Sequence, residues 1–420
     1  MADTAAHLVD RVLPIAPVRQ WVLSLPFALR YRMTYDAALL TDVLNVFIRA
    51  LFGELRRRAR QSLDLRSSQC GAVTFVQRFG DALNANPHFH CLVLDGVYAA
   101  GESGGLEFHQ LPAPENEDVL RLTTLVAERV ESLLKRRGLD AEAEVQEADP
   151  LSNDDPGMAS LLANSVRRKI AVGSNTGRGV VRLGDQIDGD HLDPFESPRC
   201  AMVSGFSVHA NVAIEAQDRM RLERLCRYAA RPAVATERLS ELPDGRLLYR
   251  LKRPWRDGTS AVIFEKQDFI AKLAVLTPAP RAHLTRYHGV LGPCAAWRSL
   301  IVPTANEETV RAIGPAPAPS KSSTTANAEG ETPKPKPAKP RPRNYTWSEL
   351  MKRVFGGCSE MRNLRRHDEN YRRHSSARYN TKNSGASRIA DSPAASCASG
   401  FGHLLPDRLI LSLNVNTRRD

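Results

Sequence analysis

Asn86-Pro87-His88-Phe89-His90-Cys91-Leu92-Val93-Leu94-Asp95-Gly96 is the stretch from which the rest of this 420-residue chain can be read. The residues after the histidines are continuous, apolar and partly β-branched, which predicts a buried central strand. Side chains alternate along a strand, so His88 and His90 project from one face while Phe89 anchors the other in a core. Two imidazoles on one rigid element are half of a divalent-metal site. The plainer alternative is a pair of satisfied or surface histidines, and the spacing alone does not decide between them.

Working outward, Gly71 to Phe79 reads as a second strand, joined to the histidine strand by the short loop Gly80 to Pro87, so the two are expected as antiparallel neighbours. Arg19 to Leu25 reads as a strand stopped by Pro26. Asp36 to Gln61 has helical spacing, with Leu39, Leu40, Val43, Val46, Phe47, Ala50 and Leu51 on one face. It ends in Arg56-Arg57-Arg58, either a solvated helix end or a phosphate contact. Glu115 to Arg137 is a second amphipathic helix, stopped at Gly138. Residues 139–200 begin acidic and turn-rich and are expected as a surface insertion. Val203 to Ile214 alternates as a strand, Asp218 to Ala230 is helical and stops before Pro232, and Gly245 to Lys252 with Ser260 to Glu265 form a strand pair around Asp257-Gly258. The expected fold class is therefore α+β, with a central antiparallel sheet covered by helices over residues 1–303. Residues 304–344 are a Pro-, Ala- and Lys-rich linker. In 345–420 a short helix at Trp347 to Phe355 is followed by a basic tail expected to be mostly disordered.

Lys and Arg number 58 against 47 Asp and Glu, a net charge of +11, and the pI is near 9.5. That balance favours a polyanionic partner such as nucleic acid, although ribosomal contact or simple solubility also fits it. Seven cysteines are scattered without a Cys-x-x-Cys pair, which supports neither a zinc ribbon nor a disulfide framework and reads as a cytoplasmic, reduced chain. No apolar run is long enough to span a membrane, and no secretory signal opens the sequence.

The helix Arg219-Met220-Arg221-Leu222-Glu223-Arg224-Leu225-Cys226-Arg227-Tyr228-Ala229-Ala230-Arg231 carries the second chemical feature. Positions 221, 224, 228 and 231 fall at helical offsets, so Tyr228 shares a stripe with Arg221, Arg224 and Arg231. Arginines hold a phenol close to phosphate, and their field favours the phenolate. The alternative is a tyrosine snorkelling at the surface of an amphipathic helix. A tyrosine that attacks phosphorus conserves the bond for later rejoining, and a Mg²⁺ or Mn²⁺ held by histidine would neutralise the phosphodiester oxygens.

These residues, together with Val18 to Pro26, Gln77-Arg78-Phe79-Gly80, Gly205-Phe206-Ser207-Val208-His209-Ala210, Leu251 to Thr259 and Arg286 to Leu291, resemble the HUH-endonuclease transposases of the rolling-circle type, in particular the single-tyrosine insertion-sequence common-region branch. The likeness runs over roughly residues 5–303 and extends to Tyr345–Phe355. It implies a nicking and rejoining of single-stranded DNA at mobile-element ends, with Tyr228 as nucleophile, His88 and His90 as metal ligands and Mg²⁺ or Mn²⁺ as cofactor. The third ligand stays open between His209 and Gln77, and His209 fits a structural hydrogen-bonding role as well. DNA contacts are expected from Arg221, Arg224, Arg227, Arg231, Lys252, Arg253 and Arg256, with Trp255 either an aromatic platform or the packed tryptophan of a plain hairpin. The implied setting is the bacterial cytosol, at the nucleoid, and homo-oligomerisation is left open. Where two-tyrosine relatives carry another tyrosine, this chain has Arg224. The resemblance also implies a chain truncated at the front, lacking a cysteine-rich zinc module, and frame-shifted near Gly356. An inactive DNA-binding remnant and a metal-dependent DNA hydrolase are the alternative readings.

Overall fold

The computed structural model describes residues 1–101, 105–139, 149–184, 198–255, 257–303 and 345–355. The chain divides into two units. Of the second unit, the helix Trp347–Phe355 falls among the described residues, whereas the linker 304–344 and the tail 356–420 lie outside them.

In chain order the first unit contains α1 (Ala2–Arg11), β1 (Val18–Ser24), α2 (Phe27–Tyr35), α3 (Ala37–Leu63), β2 (Gly71–Phe79), β3 (Ala85–Leu94), β4 (Gly96–Ala100), β5 (Leu106–Gln110), α4 (Asn116–Arg136), α5 (Pro150–Asp154), α6 (Pro156–Val166) and β6 (Val181–Gly184). Then follow β7 (Cys200–Val203), β8 (Phe206–Ile214), α7 (Arg219–Ala229), β9 (Leu239–Glu241), β10 (Leu247–Arg250), β11 (Thr259–Phe264), α8 (Lys266–Leu276), β12 (Thr285–Gly289) and α9 (Arg298–Ile301). The protein is α+β. Its main sheet is antiparallel throughout, in the order β12-β2-β3-β1-β8-β7. A smaller sheet, β6-β11-β10-β9, packs with α6 and α8 around Val262, Phe264 and Phe269.

Period-two alternation sorts the main sheet into two faces. Trp21 and Leu23 of β1, Phe89, Cys91 and Val93 of β3 and Val208 of β8 enter a core covered by α3 and α4. The opposite face sends Val18, Val73, Phe75 and Leu92 against α1 and α7. α3 starts where Asp36 accepts a hydrogen bond from the Leu39 N–H at 2.8 Å, a side-chain N-cap. α7 starts likewise on Asp218, which accepts from Arg221 N at 3.0 Å. It ends before Pro232, which cannot donate to a further turn.

Two arginines, Arg19 buried and Arg219 half-buried, fix the register and the docking. Arg19 makes a bidentate pair with Asp95 (2.9 and 2.6 Å) and donates to the Ala210 carbonyl at 3.0 Å, tying β1 to the end of β3 and to β8. Arg219 donates to the carbonyls of Pro14 (2.8 Å), Leu13 (2.7 Å) and Val9, so the first turn of α7 sits on the backbone at and after the end of α1. Of the expected insertion 139–200, the described residues include α6, whose Leu162 and Val166 are buried, and β6, which pairs with β11. Val203 to Ile214 holds a tight turn at Ser204 and Gly205, both at positive φ, so the expected single strand is the end of β7 followed by β8.

Candidate active site

β3 presents His88 and His90 from one face, with ring centroids 5.0 Å apart, while Phe89 points the other way into the α3–α4 core. Both histidines are buried, His90 completely. Register places Gln77 of β2 and Ser24 of β1 beside His88, and Phe75 and Val22 beside His90. His88 Nδ1 lies 2.7 Å from the Asn86 carbonyl, an acceptor only, so Nδ1 carries the proton and Nε2 keeps its lone pair. His90 Nδ1 is 2.8 Å from the Gln20 amide nitrogen, and its Nε2 is buried without a hydrogen-bond partner.

Tyr228, in the last turn of α7, comes down over this pair. Its ring meets that of His90 edge to face, centroids 6.1 Å apart and planes at 86°. Two cations approach the phenol ring, the Arg231 guanidinium at 4.6 Å and the Lys252 ammonium at 4.8 Å from its centroid. Arg231 also covers Phe79 at 5.6 Å. Gln77 links the two halves: its Nε2 donates to the carbonyl of Ala229 at 2.8 Å, next to the tyrosine, and its Oε1 is buried without a partner.

Electrostatics keep the imidazoles neutral. Burial pushes His88 down to about 4, with Arg231 and Arg30 adding to the effect while the Asn86 carbonyl and Asp81 oppose it. Burial, and then the neighbouring His88 and Arg231, hold His90 well below the usual histidine range. Partial burial, reinforced by Arg231, Arg253 and Arg238, pulls the Lys252 ammonium down to about 8.

The remaining expected residues divide by position. Arg221 and Arg224 line the same helix, Arg224 exposed, and it is Arg231 of the arginine stripe that stacks on the tyrosine ring. Arg227 is tied to Glu223 at 3.3 Å. Arg253 is exposed. Trp255 is half-buried beneath Arg168 (4.7 Å) and Arg182 (5.2 Å), two cations the sequence reading did not pick out. Arg256 lies outside the described residues. His209 is buried on β8, opposite Val22, one strand beyond β1. Among the described residues no three His, Cys, Asp or Glu side chains are grouped to hold a metal ion. His209 therefore does not join His88 and His90 in such a group, and Gln77, directly across from His88, is the donor the register brings to them. Burial also lowers the His209 pKa.

The family model described as "Putative transposase" matches residues 71–298, more than half of the chain. The chain belongs to this transposase family. No curated protein and no solved structure matches it. The matched span of the transposase runs from β2 to the start of α9 and includes Gln77, His88, His90, Tyr228 and Lys252. Gln20, which touches His90, lies before it and on a strand otherwise read for its apolar residues. Its signal was a polar residue inside a buried strand. No described helix of the transposase is long and apolar enough to cross a membrane.

Proposed function

We propose that this transposase nicks and rejoins single-stranded DNA through Tyr228. The observation that carries the reading is the phenol edge-on to a buried, neutral histidine pair and bracketed by Arg231 and Lys252. The Tyr228 oxygen attacks a backbone phosphorus, the P–O3′ bond breaks, and the 5′ phosphate remains on the tyrosine. The phenol gives up its proton, the departing 3′ oxygen takes one up as a hydroxyl, and attack by another 3′ hydroxyl reverses the step to join strands. Arg231 and Lys252 stabilise the charge that develops on the phosphoryl oxygens.

The donor set also fits a divalent ion. His88 and His90 are neutral, His90 Nε2 and Gln77 Oε1 are buried without partners, and Asn86 leaves the His88 Nε2 lone pair open. Two imidazoles and an amide oxygen suit Mn²⁺ or Mg²⁺, the amide oxygen favouring the harder ion. When bound, the ion would act as a Lewis acid on a phosphoryl oxygen. Gln20 could then turn its amide oxygen towards His90 Nδ1–H and orient the ring.

Purified protein incubated with Mn²⁺ or Mg²⁺ and labelled single-stranded element ends tests this on a denaturing gel. A covalent protein–DNA adduct is expected, lost in Tyr228→Phe while DNA binding persists. An adduct undiminished in that variant, or cleavage that releases both fragments without one, overturns the assignment.

A further inference from the structure

α3 and α4 run antiparallel: Arg57 of α3 meets Asp118 of α4 at 3.2 Å, and Arg137, just past α4, reaches Asp36 at the start of α3 at 3.8 Å. Their inner sides, with Phe47, Leu51, Leu122 and Val126, enter the core that holds Phe89. Between the two helices lies a cleft of about 880 Å³, on the layer of the sheet away from His88 and His90. Gly53 belongs to its lining, and a Cβ added there would meet nothing within 4 Å. Six arginines and three glutamates line the cleft. Two of the arginines are already neutralised. Arg57 Nε donates to Glu54 at 2.9 Å, Arg121 donates to Glu54 at 3.0 Å, and both pair with Asp118, which ties the walls together. Arg49, Arg56, Arg60 and Arg129 are exposed and make no hydrogen bond or ion pair among the described residues. Against these four stand the exposed Glu117 and Glu128, so the remaining charge of the lining is positive. Arg56 and Arg60 are four residues apart on one helix, a spacing at which like charges repel unless an anion joins them.

We propose that this cleft binds the phosphate backbone of double-stranded DNA through Arg49, Arg56, Arg60 and Arg129. From Arg49 to Arg60 the helix rises about 16 Å, a length over which one strand of a duplex presents about five phosphates. Each guanidinium offers a fork that matches two phosphate oxygens. No aromatic side chain lines the cleft, so it gives unpaired bases no stacking platform and meets the backbone alone. The transposase thereby holds a duplex on its helix layer, away from the strand that Tyr228 attacks. Duplex binding here does not depend on the nicking reading.

The test titrates the full chain with a blunt duplex of about 20 base pairs and arbitrary sequence, and with an oligothymidylate of about 20 nucleotides. Arg56→Gln combined with Arg60→Gln should weaken duplex binding about tenfold or more. The slope of log affinity against log salt should become shallower by about 1.8, the release expected for two duplex phosphate contacts. Oligothymidylate affinity should stay as in the parent. Arg56→Lys with Arg60→Lys keeps both charges and should restore the slope. Without DNA, the melting temperature of the Gln variant should stay or rise, since a like-charge pair is relieved. Duplex affinity and slope unchanged in the Gln variant overturn the site, as does an equal loss for oligothymidylate or a slope still shallow in the Lys variant. A Gln variant that keeps its duplex affinity but loses self-association in sedimentation equilibrium also overturns it, and gives the cleft to a second copy of the chain.

Discussion

At the residue scale the site is a contest between burial and charge. His88 stays neutral in the fold down to about 4, against 6.5 for the ordinary side chain. Between those values the unfolded chain binds more protons than the folded one, so stability falls as pH drops from about 6.5 towards 4. The loss is roughly 1.4 kcal/mol per pH unit for each such histidine, and these groups contribute no slope above 6.5. Urea midpoints taken from about pH 7 down to about pH 5 should show it, and His88→Gln should flatten the dependence. An equal slope in that variant would remove the histidine from the explanation. The two cations on the tyrosine give a second outcome. Lys252→Met or Arg231→Gln should slow adduct formation about a hundredfold, with equilibrium binding weakened less than about tenfold. His88, His90 and Tyr228 could be picked out because period two and period 3.6 each place them on a definite face. Lys252 was legible as a cation beside an aromatic, not as a neighbour of Tyr228, since the turn that brings it there leaves no periodic trace. Arg168 carried no local pattern at all; the ring it covers, Trp255, lies far along the chain.

Among the elements, those with long, regular periodicity were readable and those on edges were not. β2 runs from Gly71 to Phe79 as expected, and α3, α4 and α7 agree with their expected spans to within a few residues. β12, β6 and β9 are short and half-exposed or exposed, so burial imposes little alternation on them. α1 and α2 are short helices whose packing is supplied by distant strands, a constraint invisible locally. The sheet's own register depends on Arg19 and Asp95, each side chain about 6 % exposed. Asp95→Asn should cost about 3 kcal/mol of stability, because it leaves a buried guanidinium without its counter-charge. Arg19→Leu together with Asp95→Leu should recover a large part of that loss, measured as denaturant midpoints. No recovery in the double variant would mean that the pair contributes more than mutual neutralisation. Gly289 makes a further demand at the end of β12: its φ is +59°, and an added Cβ would stand 1.9 Å from the Cys70 carbonyl oxygen. Gly289→Ala should therefore lower the melting temperature and loosen protection of β12 amides in hydrogen exchange.

Across the molecule the chemistry is assembled from two layers that meet late in the chain. The sheet contributes the imidazoles and Gln77, and the helix layer above it contributes the tyrosine from about 140 residues further on. If those donors bind an ion, Mn²⁺ should stabilise the whole domain, by up to about 2.7 kcal/mol at a hundredfold excess over Kd. His90→Ala and Gln77→Ala should each shrink that thermal shift, and a shift unaltered in both would place the ion elsewhere. The docking of α7 has its own consequence. Arg219 grips the carbonyls of Val9, Leu13 and Pro14, so the opening residues act as a bracket for a side chain more than two hundred positions downstream. Trimming the chain to begin at β1 would keep every residue of the proposed chemistry and yet release the helix that aims it.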